Sequence, residues 1–288
     1  MSDPANSKVV LITGCSSGFG LHAAAHLASI GYTVIASMRN TNKQNELLSE
    51  VRRRNGRVDV LQLDVTDKLS IKRAIDQITV KYGHVDVLIN NAGCAIGGFF
   101  EDLTDDEIRQ IMETNFFGVQ AVTRETIPLM RQRKLGKIIN ISSVSGFSTS
   151  PAFGAYNASK WALEAFTESL RYELKFFGID VLLIEPGTYK TKIFFENQRL
   201  AAGYDNPKSP YYPISQHIKK KVEEYVADCH KDIEEIPRLI EKLIKAENPS
   251  FRNIPDIESK ILYVLRKVLP FSLYSWILRK ALFRGLEI

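Results

Sequence analysis

The sequence predicts an α/β protein with a doubly wound parallel sheet, helices on both faces and a helical extension at the C-terminus. Short β-branched runs alternate with stretches that carry apolar residues at helical spacing, the pattern of parallel strands joined by crossover helices. Glycine-rich or polar segments follow these runs, as is typical of sheets that bind ligands at the carboxyl ends of strands. The 288 residues are enough for one large core, so we expect a single domain over residues 1–288.

The composition is that of an ordinary globular protein, with 44% hydrophobic and 25% charged residues. The net charge of +5 is spread along the chain and gives little support for a nucleic-acid partner. Cys15, Cys94 and Cys229 form neither a disulfide framework nor a metal-binding motif, which fits a reducing compartment. A polar start, without a secretory signal or an apolar run long enough to span a bilayer, favours a cytoplasmic protein.

The elements are predicted from runs and periodicity. The predicted strands are 8–13, 33–37, 58–63, 85–89, 137–141 and 179–184. The predicted helices are 21–32, closed by Gly31, then 42–55, 68–82, 105–131 and 156–177, followed by 215–231 and a segment from Ile233 that ends before Pro249. Thr104 or Asp105 is suited to cap the helix at 105.

The first predicted strand runs directly into Gly14-Cys15-Ser16-Ser17-Gly18-Phe19-Gly20 and then into a helix. Glycines let the backbone approach a pyrophosphate, and the amides at a helix N-terminus meet its charge. Glycine-rich turns are also common in purely structural roles. The order of strand, turn and helix nevertheless favours a dinucleotide site in a Rossmann-type fold.

The second strand ends in Met38-Arg39-Asn40. An NAD site usually presents an acidic residue here for the ribose 2′-hydroxyl, and none is present. Arg39 can instead bind a 2′-phosphate through charge-assisted hydrogen bonds, although it is also compatible with a solvated loop. The pattern therefore favours NADP(H) over NAD(H).

Between Ser143 and Lys160 the sequence SVSGFSTSPAFGAYNASK carries a candidate proton-transfer site. Tyr156 and Lys160 are one helical turn apart, so both project from the same helix face. A nearby ammonium lowers the pKa of a phenol, and the Ser143 hydroxyl can polarise a carbonyl. Tyrosine and lysine also fall four apart on many solvated helices, so the spacing alone is a weak signal.

Residues 8–191 resemble the short-chain dehydrogenase/reductase family. The resemblance is carried by Thr13-Gly14-x-x-x-Gly18-x-Gly20, Asp64, Asn90-Asn91-Ala92-Gly93, Asn115, Ser143, Tyr156-x-x-x-Lys160 and Pro186-Gly187 with Thr191. It implies a catalytic set of Asn115, Ser143, Tyr156 and Lys160. The cofactor-binding residues that it implies are Gly14, Ser16, Ser17, Gly18, Phe19, Gly20, Arg39, Asp64, Val65, Asn91, Ala92, Gly93, Tyr156, Lys160, Pro186, Gly187 and Thr191, and it implies no metal.

The same resemblance implies a mechanism. Tyr156 would protonate a carbonyl oxygen while NADPH delivers hydride to its carbon, and Ser143 would hydrogen-bond the substrate oxygen. Lys160 would lower the Tyr156 pKa and hold the ribose hydroxyls, and Asn115 would keep a helix locally open for a proton-relaying water. Ser17 departs from the basic residue that some NADP-preferring members carry at this position.

The last hundred residues resemble the subgroup of hydroxysteroid and retinol dehydrogenases. Residues 192–256 are expected to form a substrate lid and helices. The aromatic residues of this region indicate an apolar substrate or pack the lid onto the body: Phe194, Phe195, Tyr204, Tyr211 and Tyr212. Residues 257–288 are apolar and basic, and predict two short helices broken at Pro270. These helices either lie at a membrane surface or cover the substrate cleft or a subunit interface.

We expect an oxidoreductase that transfers hydride between NADP(H) and the carbonyl or alcohol of a bulky steroid-, retinoid- or lipid-like substrate. Alternatives are an NAD(H)-using dehydrogenase of a small alcohol, an epimerase or lyase of the related extended fold, and a non-catalytic NADP-sensing protein. A homodimer or homotetramer is implied by the family, whose two long helices commonly form the interface.

Overall fold

A seven-stranded parallel sheet forms the centre of the computed structural model, which describes residues 8–190 and 199–286. The strands are β1 (Val9–Ile12), β2 (Thr33–Met38), β3 (Val58–Gln62), β4 (Val87–Asn90), β5 (Ile96–Gly97), β6 (Gly136–Ile141), β7 (Ile179–Ile184), β8 (Arg199–Leu200) and β9 (Arg252–Asn253). The sheet has the order β3-β2-β1-β4-β6-β7-β9, and β5 pairs only with β8.

The strand order reverses next to β1, which pairs with β2 on one side and with β4 on the other. In a doubly wound sheet the crevice at this reversal, outside the carboxyl ends of the strands, is where ligands bind. The glycine-rich turn follows β1 and the Asn91-Ala92-Gly93 segment follows β4, so the topology brings these two segments together.

Ten helices are described. They are α1 (Gly18–Ser29), α2 (Asn45–Arg53), α3 (Lys68–Tyr82), α4 (Asp105–Met112), α5 (Gly118–Arg133), α6 (Gly154–Lys175), α7 (Tyr212–Ala227), α8 (Glu235–Lys245), α9 (Ile257–Val268) and α10 (Phe271–Phe283). None of these helices is long and apolar enough to cross a membrane.

The core lies on both faces of the sheet. On one face Leu21 and Leu27 of α1 pack with Ile236, Ile240 and Ile244 of α8. On the other face α3, α5 and α6 supply apolar side chains, including Ile71, Ile75, Ile78, Val122 and Leu170. Full burial of such a side chain stabilises the fold by about 1.5–3 kcal/mol, so these two layers fix the sheet on which the polar strand ends are mounted.

Several predicted elements are confirmed with small shifts at their ends. Strand 179–184 and helix 68–82 have the predicted bounds, and the tail forms two helices that meet at Pro270. Thr104 caps α4 through a capping box with Glu107. The helix predicted at 105–131 is continuous but contains a π-helical turn, Glu113–Phe117, which divides it into α4 and α5. The short strands β5, β8 and β9 were not predicted, since two residues carry no periodicity.

Candidate active site

The glycine-rich turn is packed directly against the segment after β4. Gly14 has φ +75, and a Cβ added there would lie 2.7 Å from the Cα of Ala92. A Cβ on Gly20 would lie 2.4 Å from Asn91 Nδ2 and 2.6 Å from the Gly14 carbonyl oxygen. A side chain at either position would therefore push the two segments apart, and glycine is required for their close approach.

Thr13 and Asn91 fasten these segments together. The Thr13 Oγ1 accepts hydrogen bonds from the amides of Asn91 and Ala92, each at 3.0 Å. Asn91 Nδ2 donates to the carbonyl oxygens of Thr13 and Gly14, at 2.9 and 3.1 Å. Thr13 is not among the predicted cofactor-binding residues, because its only sequence signal is its place before Gly14.

The first turn of α1 fits a diphosphate. Ser17 is the N-cap of the helix, and Gly18, Phe19 and Gly20 are its first three residues; the first turn has no acidic residue. The leading N–H groups of a helix have no intrahelical acceptor and favour an anion. Cys15 does not belong to this surface, because its thiol is buried and donates to the Ile12 carbonyl oxygen at 3.3 Å. Burial raises the pKa of that thiol.

Two further residues predicted to bind the cofactor lie at neighbouring strand ends. Arg39 follows β2 directly, and its side chain is exposed and has no ion pair with the described residues. Asp64 comes two residues after β3, and its Oδ1 accepts from the amide and hydroxyl of Thr66, at 3.0 and 2.8 Å. Val65 is buried beside it. Both polar residues therefore lie just beyond the carboxyl ends of β2 and β3.

The catalytic candidates are brought together by β6 and α6. Ser143 comes two residues after β6, and Tyr156 and Lys160 lie in the first two turns of α6. The Lys160 Nζ lies 5.7 Å from the centroid of the Tyr156 ring and donates to the Ile141 carbonyl oxygen at 3.0 Å. Lys160 is buried, whereas Tyr156 keeps part of its surface open.

Burial, and not the charge of the lysine, controls the ionisation of this pair. Burial raises the pKa of Tyr156 to about 12, and a hydrogen bond with Ser143 offsets only part of the effect. Burial also lowers the pKa of Lys160 to about 8, against the opposing influence of Cys94 and Glu164. The expected lowering of the Tyr156 pKa by Lys160 is therefore wrong for this arrangement, because desolvation penalises both charged forms.

Asn115 lies in the π-helical turn between α4 and α5 and is buried. Its Oδ1 accepts from the Cys94 amide at 2.9 Å, and its Nδ2 donates to the Cys94 carbonyl oxygen at 2.9 Å and to Ser159 Oγ at 3.0 Å. The locally widened helix agrees with the expectation for this residue. The side chain thus ties the loop after β4 to α6.

The Pro186-Gly187 segment is held by the start of α9. The Gly187 amide donates to Asp256 Oδ2 at 3.1 Å, and a Cβ on Gly187 would lie 2.4 Å from Ser259 Oγ. Asp256 is 7% exposed and also accepts from Lys231 Nζ at 2.8 Å. Asp256 was not predicted from the sequence, since nothing local links it to Gly187. Thr191 lies outside the described residues.

The aromatic residues of the expected lid pack onto the body where they are described. Tyr204 is buried and donates to the Ser215 carbonyl oxygen, and Tyr211 stacks on Phe99 with ring centroids 4.7 Å apart. Phe194 and Phe195 lie outside the described residues. A small apolar recess is lined by Gly97, Ala152, Phe153, Leu200, Tyr204, Ile218 and Val222. Phe153 precedes α6 directly, so the recess adjoins the loop that leads to Tyr156.

His22, Glu50 and Glu234 form a cluster of metal-ligand types whose ligand atoms are within 4.8 Å of one another. The Arg54 guanidinium is bound to Glu234 at 2.6 and 2.8 Å and to Glu50 at 2.6 Å. Because Arg54 supplies the positive charge that these carboxylates need, we assign the cluster to fixing α1, α2 and α8.

The fold and the strand-end residues define a short-chain dehydrogenase/reductase. The family model for short chain dehydrogenases matches residues 8–200, and the chain belongs to this family. Within it the chain is retinol dehydrogenase-like: it is 32% identical to human retinol dehydrogenase 5 over 293 residues, which cover 96% of this chain and 91% of that protein.

Two bacterial relatives match along most of their length. The uncharacterized oxidoreductase YusZ of Bacillus subtilis is 39% identical over 285 residues, covering 96% of this chain and 99% of the relative. The 3-ketodihydrosphingosine reductase of Bacteroides thetaiotaomicron is 36% identical over 275 residues, covering 94% and 97%. The match thus extends through the C-terminal region and is not confined to the cofactor-binding half.

Solved structures repeat the fold. A short-chain dehydrogenase from Streptomyces avermitilis has a TM-score of 0.80 at 30% identity, covering 98% of this chain and all of that one. A variant of actinorhodin polyketide ketoreductase, solved with NADPH, has a TM-score of 0.74 at 27% identity, covering 88% and 97%. An enzyme from Burkholderia phymatum, solved with NAD, has a TM-score of 0.79 at 24% identity, covering 91% and 93%, and supports the fold alone.

Replacement of Asp256 by alanine should destabilise the chain and loosen the Gly187 segment. We expect Asp256→Ala to lower the free energy of unfolding by about 2–3 kcal/mol, because the partly buried Lys231 and the Gly187 amide lose a buried partner. Chemical denaturation measures the change.

The control is Glu258→Ala, because Glu258 binds the same Lys231 at 2.9 Å but is exposed. It should change stability by less than about 1 kcal/mol. Hydrogen bonds from Lys231 and Ser259 outweigh burial and hold the pKa of Asp256 below its ordinary value, so its stabilisation exists above the unfolded-state pKa and is lost in acid. Equal losses in both variants would contradict a special role for Asp256.

Proposed function

We propose that this protein is an NADP(H)-dependent oxidoreductase that interconverts the carbonyl and alcohol of a bulky, mainly apolar substrate. The observation that carries the proposal is the convergence of Ser143, Tyr156 and Lys160 at the strand ends beside the glycine-rich turn. The chain would act as one catalytic unit over residues 1–288. The family membership and the nicotinamide nucleotides bound by the structural relatives support the cofactor class.

The residues present fit a dinucleotide. Gly14 and Gly20 let the turn pack closely against the Asn91-Ala92 segment, and the start of α1 offers amides for the diphosphate. The predicted cofactor set, from Gly14 to Gly187 with Thr191, would bind the remaining parts. When bound, the nicotinamide supplies or accepts the hydride.

The proton chemistry falls to Tyr156. With a pKa raised by burial to about 12, its phenol is protonated at neutral pH and can donate to a carbonyl oxygen. Ser143, which hydrogen-bonds Tyr156, would also donate to that oxygen as negative charge develops on it. Lys160 would hold the ribose hydroxyls and stabilise the phenolate left after proton donation, while Asn115 keeps the widened turn in place. The protonated resting form thus suits reduction.

The substrate class is inferred from the aromatic side chains of the tail and from the named relatives. The inner face of the tail packs on the catalytic loop: Tyr274 Oη lies 2.5 Å from Ser148 Oγ, and Tyr263 meets Phe147 edge-to-face at 5.1 Å. Such surroundings favour a steroid-, retinoid- or lipid-like molecule. The name of the 3-ketodihydrosphingosine reductase relative denotes an activity on a long-chain lipid, and human retinol dehydrogenase 5 is named for a retinoid.

The outer face of the tail supports peripheral contact with a membrane. Its exposed apolar side chains include Ile257, Ile261, Val264, Leu265, Val268, Phe271, Leu273, Trp276 and Ile277. Exposed basic residues accompany them, namely Lys260, Lys267, Arg279, Lys280 and Arg284. An apolar face with a basic rim is what an anionic lipid surface binds. We propose a cytoplasmic protein that associates with such a surface.

A homodimer is also proposed, with the tetramer as the alternative. The helices that commonly form the family interface expose aromatic side chains, namely Trp161, Tyr172 and Phe176 on or next to α6, with Phe117 just before α5. Exposed aromatic residues of this kind are enriched at protein interfaces.

Purified protein should oxidise NADPH in the presence of at least one apolar ketone or aldehyde from a panel of steroid, retinoid and 3-keto-lipid carbonyls. Tyr156→Phe should reduce kcat by about 10²–10⁴-fold with little change in NADPH affinity, because the proton donor is lost and the fold is kept. Tight NADPH binding without turnover of any carbonyl would favour the non-catalytic NADP-sensing alternative.

Arg39→Ala should raise the KM for NADPH by about tenfold or more and leave the KM for NADH within about twofold, because only the 2′-phosphate loses a charged hydrogen bond. Lys43→Ala, a nearby basic residue on the same loop, is the control. Equal effects on both nucleotides would show that Arg39 does not read the 2′-phosphate and would favour the NAD(H)-using alternative.

The full chain should sediment with vesicles that contain phosphatidylserine and not with pure phosphatidylcholine. Reversal of Lys260, Lys267 and Lys280 to glutamate should abolish sedimentation, whereas the same reversal of Lys220, Lys221 and Lys242 should preserve it. A chain that never sediments would exclude the membrane contact. Self-association through the same face, lost on the first set of reversals, would assign the face to a subunit interface.

A further inference from the structure

A buried ion cluster lies beneath the catalytic lysine. Glu164 follows Lys160 by one turn on α6, Glu185 directly follows β7, and Arg252 belongs to β9. Glu185 is fully buried and Glu164 is 5% exposed. Arg252 Nη1 donates to Glu164 Oε2 at 2.6 Å and to Glu185 Oε1 at 2.5 Å. None of the three residues was predicted as part of the site.

Arg252 alone does not balance the two carboxyl groups if both are ionised, and burial weakens the positive charge of Lys160, the other cation next to Glu164. Because both bonded oxygens meet the same nitrogen, they lie within about 5 Å of each other, a separation at which one carboxylate strongly disfavours ionisation of the next. The other oxygens, Glu164 Oε1 and Glu185 Oε2, are buried without a hydrogen-bond partner among the described residues, and so is Ser142 Oγ. A buried carboxylate oxygen without a donor is costly, and a proton removes that cost.

Ser142 links the cluster to the catalytic strand end. A Cβ added to Gly146 would lie 2.7 Å from Glu164 Oε1 and 2.9 Å from Ser142 Oγ, so these two atoms border the same small space. Ser142 stands between Ile141, whose carbonyl oxygen accepts from Lys160, and Ser143. The cluster therefore adjoins Ser143 through Ser142, and it adjoins Lys160 through Glu164 one turn along α6.

We propose that Glu164 and Glu185 hold one proton between them at neutral pH, and that this Arg252-bridged pair sets the charge that Lys160 experiences. The pair acts through Lys160 and is a positioning group. Burial raises the pKa of Glu185 to about 8 and also raises the pKa of Glu164 above its ordinary value, which agrees with the charge count.

The sign of the coupling follows from the charges. When the shared proton leaves in alkaline solution the cluster gains one negative charge, which favours the ammonium form of Lys160. The other groups that face Lys160 are Tyr156 and Cys94, and burial raises the pKa of both. On the far side the Tyr263 ring faces Arg252 at 5.8 Å.

The proton is tested directly by infrared spectroscopy of the full chain. The wild-type protein should show the C=O stretch of a protonated, buried carboxylic acid at neutral pH, and the band should disappear on alkaline titration. Glu164→Gln and Glu185→Gln should each remove the neutral-pH band, because the remaining carboxylate then pairs alone with Arg252. Absence of the band from the wild-type protein would overturn the shared proton, even if neither variant folds.

The coupling is tested by ¹⁵N NMR of lysine-labelled protein, with the Lys160 signal assigned through Lys160→Met. Each glutamine variant should lower the apparent pKa of Lys160 by about one pH unit, because the second negative charge no longer forms. Glu168→Gln, one turn further along α6 and exposed, is the matched control and should leave it unchanged. Lys160 titrating alike in all four proteins would overturn the coupling. Any effect of this charge on catalysis rests on the role proposed for Lys160. Neither the infrared nor the NMR measurement needs turnover. An inactive protein would therefore contradict only the proposed function.

Discussion

The candidate site depends on the contact between the glycine-rich turn after β1 and the Asn91 segment after β4. The Thr13 hydroxyl and the Asn91 amide make four hydrogen bonds across this contact, and two glycines leave the space for it. Since β1 and β4 are adjacent in the sheet, this contact fixes the segments that follow the two strands against each other. The same segment continues to Cys94, whose backbone binds Asn115. Asn115 in turn binds Ser159 of α6, so the contact also positions α6.

Burial gives the site its chemical character and also constrains it. The same desolvation that keeps the Tyr156 phenol protonated also weakens the charge on Lys160, so the two groups cannot both be tuned by proximity alone. In the arrangement that we propose, Glu164, Glu185 and Arg252 provide a second and more distant influence on the pKa of Lys160.

The parts of the site that could be predicted from sequence are those that follow a strand or share a helix face. The glycine-rich turn, Arg39 and the Tyr156–Lys160 pair are local patterns, and the structure places them at the expected strand ends. Glu164 and Arg252 are 88 residues apart and Glu185 and Arg252 are 67 apart, so no window of sequence contains either pair. The ionisation of Tyr156 was also beyond reach, because it depends on burial that only packing determines.

The two-residue strand β9 has a consequence for how this chain can be divided. It pairs with β7 at the edge of the sheet, and its Arg252 binds the buried carboxyl pair. Four residues later, Asp256 accepts a hydrogen bond from the Gly187 amide. The backbone of the C-terminal region, which would select the substrate, is therefore hydrogen-bonded into the central sheet through β9. A C-terminal tail transplanted from a relative must therefore include a β9 that pairs with β7 and supplies Arg252. The tail cannot be exchanged independently of the sheet.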